Sequence, residues 1–366
     1  MSMAPADLAA RSGDLAQAGD RPALILPYGG IWPRFDGPAI FRGERAAILG
    51  RATIGAGAVL GASSVIRADG HFVQVGNAFR LGNRATVHIA HDLYPTIIGD
   101  RVAVGANAVV HACTVGNDCV IGDDAVVLDG SVLEDGIVLE AASIVFPRSK
   151  LAGGQLYAGS PAKPVRPLHP GEIADRGAAM DHAVPPSSDR HSISRPEPGE
   201  GGVDASVFIA STARLRGTIA AAANSSVWFG CDLDANGGEI VVGFNTNIQD
   251  NALIRCAPGR SFVIGNDSTI GHNVTLADCR IGDRALIGIG SVVAAGTVIE
   301  EDVLLAAGSE TLKGQILERG FLWGRRPAQK MAPLDDAKRE LIAQTIVMYC
   351  GYARAFAEAE RKALGV

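Results

Sequence analysis

The chain has 366 residues, enough for two domains, with 47% hydrophobic but only 5% aromatic residues, so its core must be built from Val, Ile, Leu and Ala. A net charge of −6 without a basic block argues against nucleic acid or an anionic membrane as partner. Six cysteines (Cys113, Cys119, Cys231, Cys256, Cys279, Cys350) are too sparse for a disulfide framework, and no CxxC pair marks a zinc knuckle.

The N-terminal segment, 1–36, begins "MSMAPADLAARSGDLAQAGD", which lacks the basic start and apolar run of a secretory signal. No segment approaches the ~20 apolar residues of a membrane span. A reducing, cytoplasmic setting is the expectation. From residue 37 to 168 an aliphatic residue recurs every sixth position: Ile48, Ile54, Leu60, Ile66, then Val75, Leu81, Val87, then Ile98, Val104, Val110, then Val115 through Val145. A period of six suits neither helix nor hairpin. It predicts a hexapeptide solenoid in which each hexad forms one side of a triangular coil and the aliphatic points inward. Coils then stack about 4.8 Å apart, as neighbouring strands do.

Residues 169–203, "HPGEIADRGAAMDHAVPPSSDRHSISRPEPGEGGV", turn polar and rich in Pro, Ser and Gly, and predict a partial helix followed by a flexible linker. The period resumes over 204–334, with Val242, Ile248, Ile254, then Ile264, Ile270, Leu276, then Ile281 through Leu305. Both copies interrupt the period at matching places. Residues 335–366 carry helical spacing and good helix formers, and predict a C-terminal helix lying along the solenoid. The fold class is therefore an all-β solenoid in two tandem copies with a C-terminal α-helix.

The period gives each residue an address. Arg67, His88 and His111 each follow an inward aliphatic by one and stand one coil apart, so they stack in a single column. The same addresses in the second copy hold Asp234, Arg255 and Ala277. At another corner of the second copy stand Gln249, Asp250 and His272, where the first copy has Gly82, Asn83 and Ala106. The losses are complementary. Two stacked histidines supply two ligands, and a catalytic zinc needs a third protein ligand with one position open to water. His272 of an adjoining second copy has the address to provide it. Gln249 is then placed to orient the metal-bound water, and Arg67 to pair with Asp250 and fix the docking.

These residues carry a resemblance. "VIRADG", "TVHIAH", "PTIIGDRVAVGANAVVHACTVGND" and "GSPAK" in the first copy, and "NTNIQD", "IGHNVTLADCRIGD" and "LIGIGSVV" in the second, resemble γ-class carbonic anhydrases over roughly 40–168 and 204–350. The resemblance implies left-handed β-helices, trimer-like interfaces, and zinc, or iron or cobalt, shared between solenoids. It maps metal ligands onto His88, His111 and His272, and the family's arginine, aspartate and glutamine onto Arg67, Asp69 and Gln249, with Asp250 following. It implies a site-lining role for Tyr157. The reaction implied is the reversible hydration of CO₂ to bicarbonate by a homo-oligomer, with a third partner as one way to complete a three-fold assembly.

Neither copy alone holds all three ligands, and the acidic loop of some members is reduced to "HDLYP". A non-catalytic assembly subunit and a hexapeptide-fold thioesterase or acyltransferase are the alternatives, since fold does not select chemistry. His71, His169, His182 and His191 read as surface residues, and His91 departs from the column address.

Overall fold

A computed structural model describes residues 23–180 and 202–364. The chain divides into two compact units, 1–189 and 190–366. Each is a parallel β-solenoid built from hexads. In the first unit the inward residues stack in three columns. One runs Ile48, Ile66, Val87, Val110, Val127, Val145. The second runs Leu60, Leu81, Val104, Ile121, Leu139, Tyr157. The third runs Ile54, Val75, Ile98, Val115, Leu133, Leu151. All are buried, each contributing about 1.5–3 kcal/mol of apolar transfer. Strands are short because each side turns a corner after one hexad.

The glycine that follows many inward aliphatics is required by close approach. At Gly105 a Cβ would lie 2.4 Å from Asp123 Oδ1 and 2.5 Å from the Asp123 nitrogen of the next coil. That carboxylate instead accepts the Ala106 N–H at 2.7 Å. Asn77, Asp100, Asn117 and Asp135 repeat the device at another corner, each accepting a backbone N–H from the coil before it. Corner backbone groups are thus paired without sheet bonds.

The first solenoid starts earlier than its period is legible. Leu24–Leu26 pairs in parallel with Ala47–Leu49. It ends in an antiparallel pair, Gln155–Ala158 with Lys163–Pro167. Glu172–Met180 then forms a helix. Arg176 ties this helix to Glu140 at 3.0 Å, and Glu172 pairs with Arg166 at 2.8 Å. The remainder of the expected linker, with His182 and His191, lies outside the described residues, as does most of the N-terminal segment.

The second unit repeats the plan. One inward column runs Ile209, Val227, Ile248, Ile270, Ile287, Leu305, Trp323. The closing antiparallel pair recurs as Phe321–Gly324 with Gln329–Pro333. The C-terminal helix, Asp336–Leu364, buries Ile342, Ile346, Tyr349, Tyr352, Ala353 and Phe356. Phe356 meets Trp228 and Phe229 edge-on, at 5.8 and 5.5 Å between ring centroids. Among the described residues no helix is long and apolar enough to cross a membrane. All six cysteines are free thiols. Burial pushes Cys113 and Cys279 up, and Cys119 up to about 11, so they pack as thiols.

Candidate metal centre

Parallel pairing sets His88 directly against His111 in register. Their inner nitrogens, His88 Nδ1 and His111 Nε2, stand 3.3 Å apart. Each outer nitrogen faces a carboxylate: His88 Nε2 lies 3.0 Å from Asp69 Oδ1, and His111 Nδ1 lies 2.6 Å from Asp129 Oδ1. Asp69 also accepts from Arg67 Nη1 at 2.5 Å, and both of these side chains are fully enclosed. Thr96 locks the backbone between the imidazoles, donating to the His88 carbonyl and accepting the Ala112 N–H at 2.9 Å. Arg67, His88 and His111 therefore sit on one face of the first unit, with Asp69 beside them.

The pair fits a metal. Two nitrogens bound at about 2.0–2.1 Å to one tetrahedral zinc stand about 3.3–3.4 Å apart. Carboxylates behind ligating histidines are the usual support of such a site.

In the second unit, Ile248 and Ile270 are paired in register, which stacks the corner carrying Gln249 and Asp250 on the one carrying His272. His272 is buried, with Nδ1 3.2 Å from Asp250 Oδ2. Asp250 accepts the Phe229 N–H at 3.1 Å, and Gln249 Nε2 donates to Asn247 Oδ1 at 3.1 Å. Across from His272 Nε2, at 3.4 Å, is the phenol oxygen of Tyr349 on the C-terminal helix.

The addresses that each copy lacks are filled differently. In the second unit Asp234, Arg255 and Ala277 stand in register. Arg216 pairs there with Asp232 at 3.0 Å and Asp234 at 3.1 Å, and Arg255 pairs with Asp232 at 3.0 Å. In the first unit Gly82, Asn83 and Ala106 line a 340 Å³ cavity beside Arg176 and Met180.

Tyr157 is a correction. It occupies an inward address at the end of the Leu60–Leu139 column, paired with Leu139, and its hydroxyl donates to the Ala152 carbonyl at 3.1 Å. Enclosed in the core on another sheet from the histidines, it lines no metal site in its unit. His91 is exposed beside Asp92, and His71 meets the Phe72 ring edge-on. His169 is exposed.

Asp129 and Tyr349 were not singled out from sequence. Asp129 was within reach of the period: it follows Val127, which is paired one coil beyond Val110. Tyr349 lies on a helix, where the hexapeptide period assigns no address.

A family model described as the hexapeptide repeat of succinyl-transferase matches residues 95–122, 112–147 and 279–309. Mitochondrial gamma carbonic anhydrase 1 of Arabidopsis thaliana is 33% identical over 170 residues, covering 45% of this chain and 62% of the relative. A carbonic anhydrase of Geobacillus kaustophilus is 32% identical over 91 residues, covering 25% and 50%. The chain thus spans less than two thirds of the length of these curated relatives. A solved structure of an acetyltransferase candidate from Desulfovibrio desulfuricans aligns with 88% of this chain and 79% of its own, at 13% identity and a TM-score of 0.54. That likeness shows the fold alone.

Proposed function

The chain belongs to the γ-carbonic-anhydrase-like family of hexapeptide-repeat proteins, and from that premise we propose that it hydrates CO₂ reversibly at a zinc held by His88 and His111 of a first copy and His272 of a second. The observation that supports this most directly is the 3.3 Å separation of His88 Nδ1 and His111 Nε2. Bound zinc supplies a Lewis acid and lowers the pKa of its water to about 7.

The chain's own residues do the rest. Asp69, gripped by Arg67, holds the His88 ring at its outer nitrogen. Asp250 sets a carboxylate oxygen 3.2 Å from His272 Nδ1. Gln249 spends its amide N–H on Asn247, which fixes the side chain and leaves Oε1 to accept a hydrogen bond from the attacking water. Tyr349, whose hydroxyl stands 3.4 Å from His272 Nε2, would give up that nitrogen to a bound metal and line the same side of the site. Arg67 and Asp250, each already held in its own unit, complete the docking of first copy to second. Iron or cobalt fits the same donors. Two solenoids per chain do not fill three seats, so the assembly is a homo-oligomer that shares solenoids between chains or admits a further partner.

The test is metal content followed by stopped-flow CO₂ hydration. About one zinc per chain is expected, lost together with activity in His111→Ala and in His272→Ala. A zinc-free native protein, or a His272→Ala variant that keeps its zinc, overturns the composite site. A zinc-loaded protein that hydrates no CO₂ overturns the reaction and leaves the metal site standing.

A further inference from the structure

We propose that Asp129 is a positioning residue that fixes the tautomer of His111 and so presents Nε2 as a bare lone pair to the metal; this rests on the metal-site reading above. An ionised carboxylate only accepts. At 2.6 Å from Asp129 Oδ1, His111 Nδ1 must therefore carry the proton. In a neutral imidazole Nε2 is then unprotonated. The same reasoning applies to His88, where Asp69 at 3.0 Å requires the proton on Nε2. Two lone pairs are left facing each other at 3.3 Å, an arrangement that repels by itself and is relieved by a cation between them. The opposite tautomer of His111 would set a lone pair against the Asp129 carboxylate.

The fold aims this carboxylate. Asp129 follows Val127, whose inward side chain is paired one coil from Val110. Its carbonyl accepts the Arg148 N–H at 2.8 Å, and the next residue's N–H reaches the Ala112 carbonyl at 2.7 Å, immediately after His111. Gly130 makes the turn at φ +67°, where a Cβ would press on Arg148 Cγ at 3.1 Å and Tyr94 Cζ at 3.4 Å. The peptide that follows Asp129 is thereby pinned between the coil that carries His111, through Ala112, and the coil beyond, through Arg148. Unlike Asp69, whose side chain is fully enclosed, the Asp129 side chain is 40% exposed. Nothing about the core requires a carboxylate there.

The experiment uses the full chain with Asp129→Ala and Asp129→Asn. Nitrogen-15 NMR of the metal-free protein labelled at histidine, with His111 assigned by His111→Asn, reads the tautomer directly. His111 is expected as the Nδ1–H form in the wild type and in Asp129→Asn, whose amide oxygen still accepts. In Asp129→Ala it is expected to move toward Nε2–H. Chelator competition with Zn²⁺ is expected to show affinity lower by about 10–100-fold in Asp129→Ala, with recovery of most of it in Asp129→Asn. A folded Asp129→Ala protein that keeps the Nδ1–H form, or binds Zn²⁺ within twofold of the wild type, overturns the proposal. If the wild type itself shows the Nδ1–H form yet binds no Zn²⁺, the metal reading falls while the tautomer assignment survives.

Discussion

Asp69→Asn tests the buried half of the first-copy site. The change preserves shape and removes one charge from a carboxylate that is fully enclosed and bound to Arg67 Nη1 at 2.5 Å and His88 Nε2 at 3.0 Å. With charge centres taken about 4 Å apart and an effective dielectric of about 20, the Asp69–Arg67 attraction is about 4 kcal/mol. That lies within the range of about 3–5 kcal/mol for removing one member of a buried pair. A second effect follows from hydrogen-bond chemistry. If the asparagine oxygen turns to Arg67, its amide N–H₂ faces the N–H of His88, donor against donor. His88 then shifts its proton to Nδ1, the nitrogen that faces His111. The variant should therefore lose about 3–5 kcal/mol in urea titration followed by far-ultraviolet circular dichroism. It should also bind Zn²⁺ about 10–100-fold more weakly in chelator competition. An unfolding midpoint and a zinc affinity both unchanged from the wild type would refute the assignment of Asp69 as the shared anchor of Arg67 and His88.

Phe356→Ala should cost about 3–5 kcal/mol, because a fully buried ring packed on Trp228 and Phe229 leaves a cavity; a red shift of tryptophan emission and faster proteolysis of the C-terminal helix are the readouts. The Arg166 guanidinium, then the His169 backbone N–H, hold the Glu172 carboxyl down at about 2. A depressed carboxylate favours the folded state above its ordinary value near 4.5 and loses that contribution as pH falls from there through about 2. Carbon-13 titration should accordingly find Glu172 ionised at pH 3.5, and its titration moved upward in Arg166→Ala, with the His169 N–H and Arg176 still in place.

The strands and their register were legible because a solenoid is its own template. One inward aliphatic every six residues fixes the face of each side chain, so Val87 against Val110 and Ile248 against Ile270 could be paired on paper, and with them His88 against His111. The period fails where its logic is suspended. Leu24–Leu26 adds a strand upstream of the repeat, setting Ile25 against Ile48 and burying Leu26, but as a lone strand it leaves no sixfold trace. Tyr157 was placed by resemblance in its neighbourhood, although its address is an inward one, and the core claimed it. Tyr349 comes to His272 on a helix whose placement depends on tertiary packing. Asp129 shows a different limit: its address was readable, but a carboxylate one coil from a histidine becomes meaningful only when its distance to Nδ1 is known.

The two imperfect copies also bear on how the ligand sets diverged. Simple decay of a metal site leaves polar remnants that have lost their partners, and such remnants are costly when enclosed. The second unit shows the reverse at the addresses of Arg67, His88 and His111. Asp234 and Arg255 take part in a network with Arg216 and Asp232, in which each charge meets an opposite one at 3.0–3.1 Å. The first unit, at the addresses of Gln249, Asp250 and His272, has gone to Gly82, Asn83 and Ala106, and the Asn83 oxygen is employed in capping the Ala62 N–H at 2.8 Å. Each unit thus pairs the polar groups at the address where it has no histidines and sets carboxylates beside the histidines it carries: Asp69 and Asp129 behind His88 and His111, Asp250 beside His272. The Asp129 side chain is 40% exposed and outside the apolar columns of the core. Under the proposed division of labour between the copies, its place 2.6 Å from His111 Nδ1 is the support that the first copy's second ligand needs.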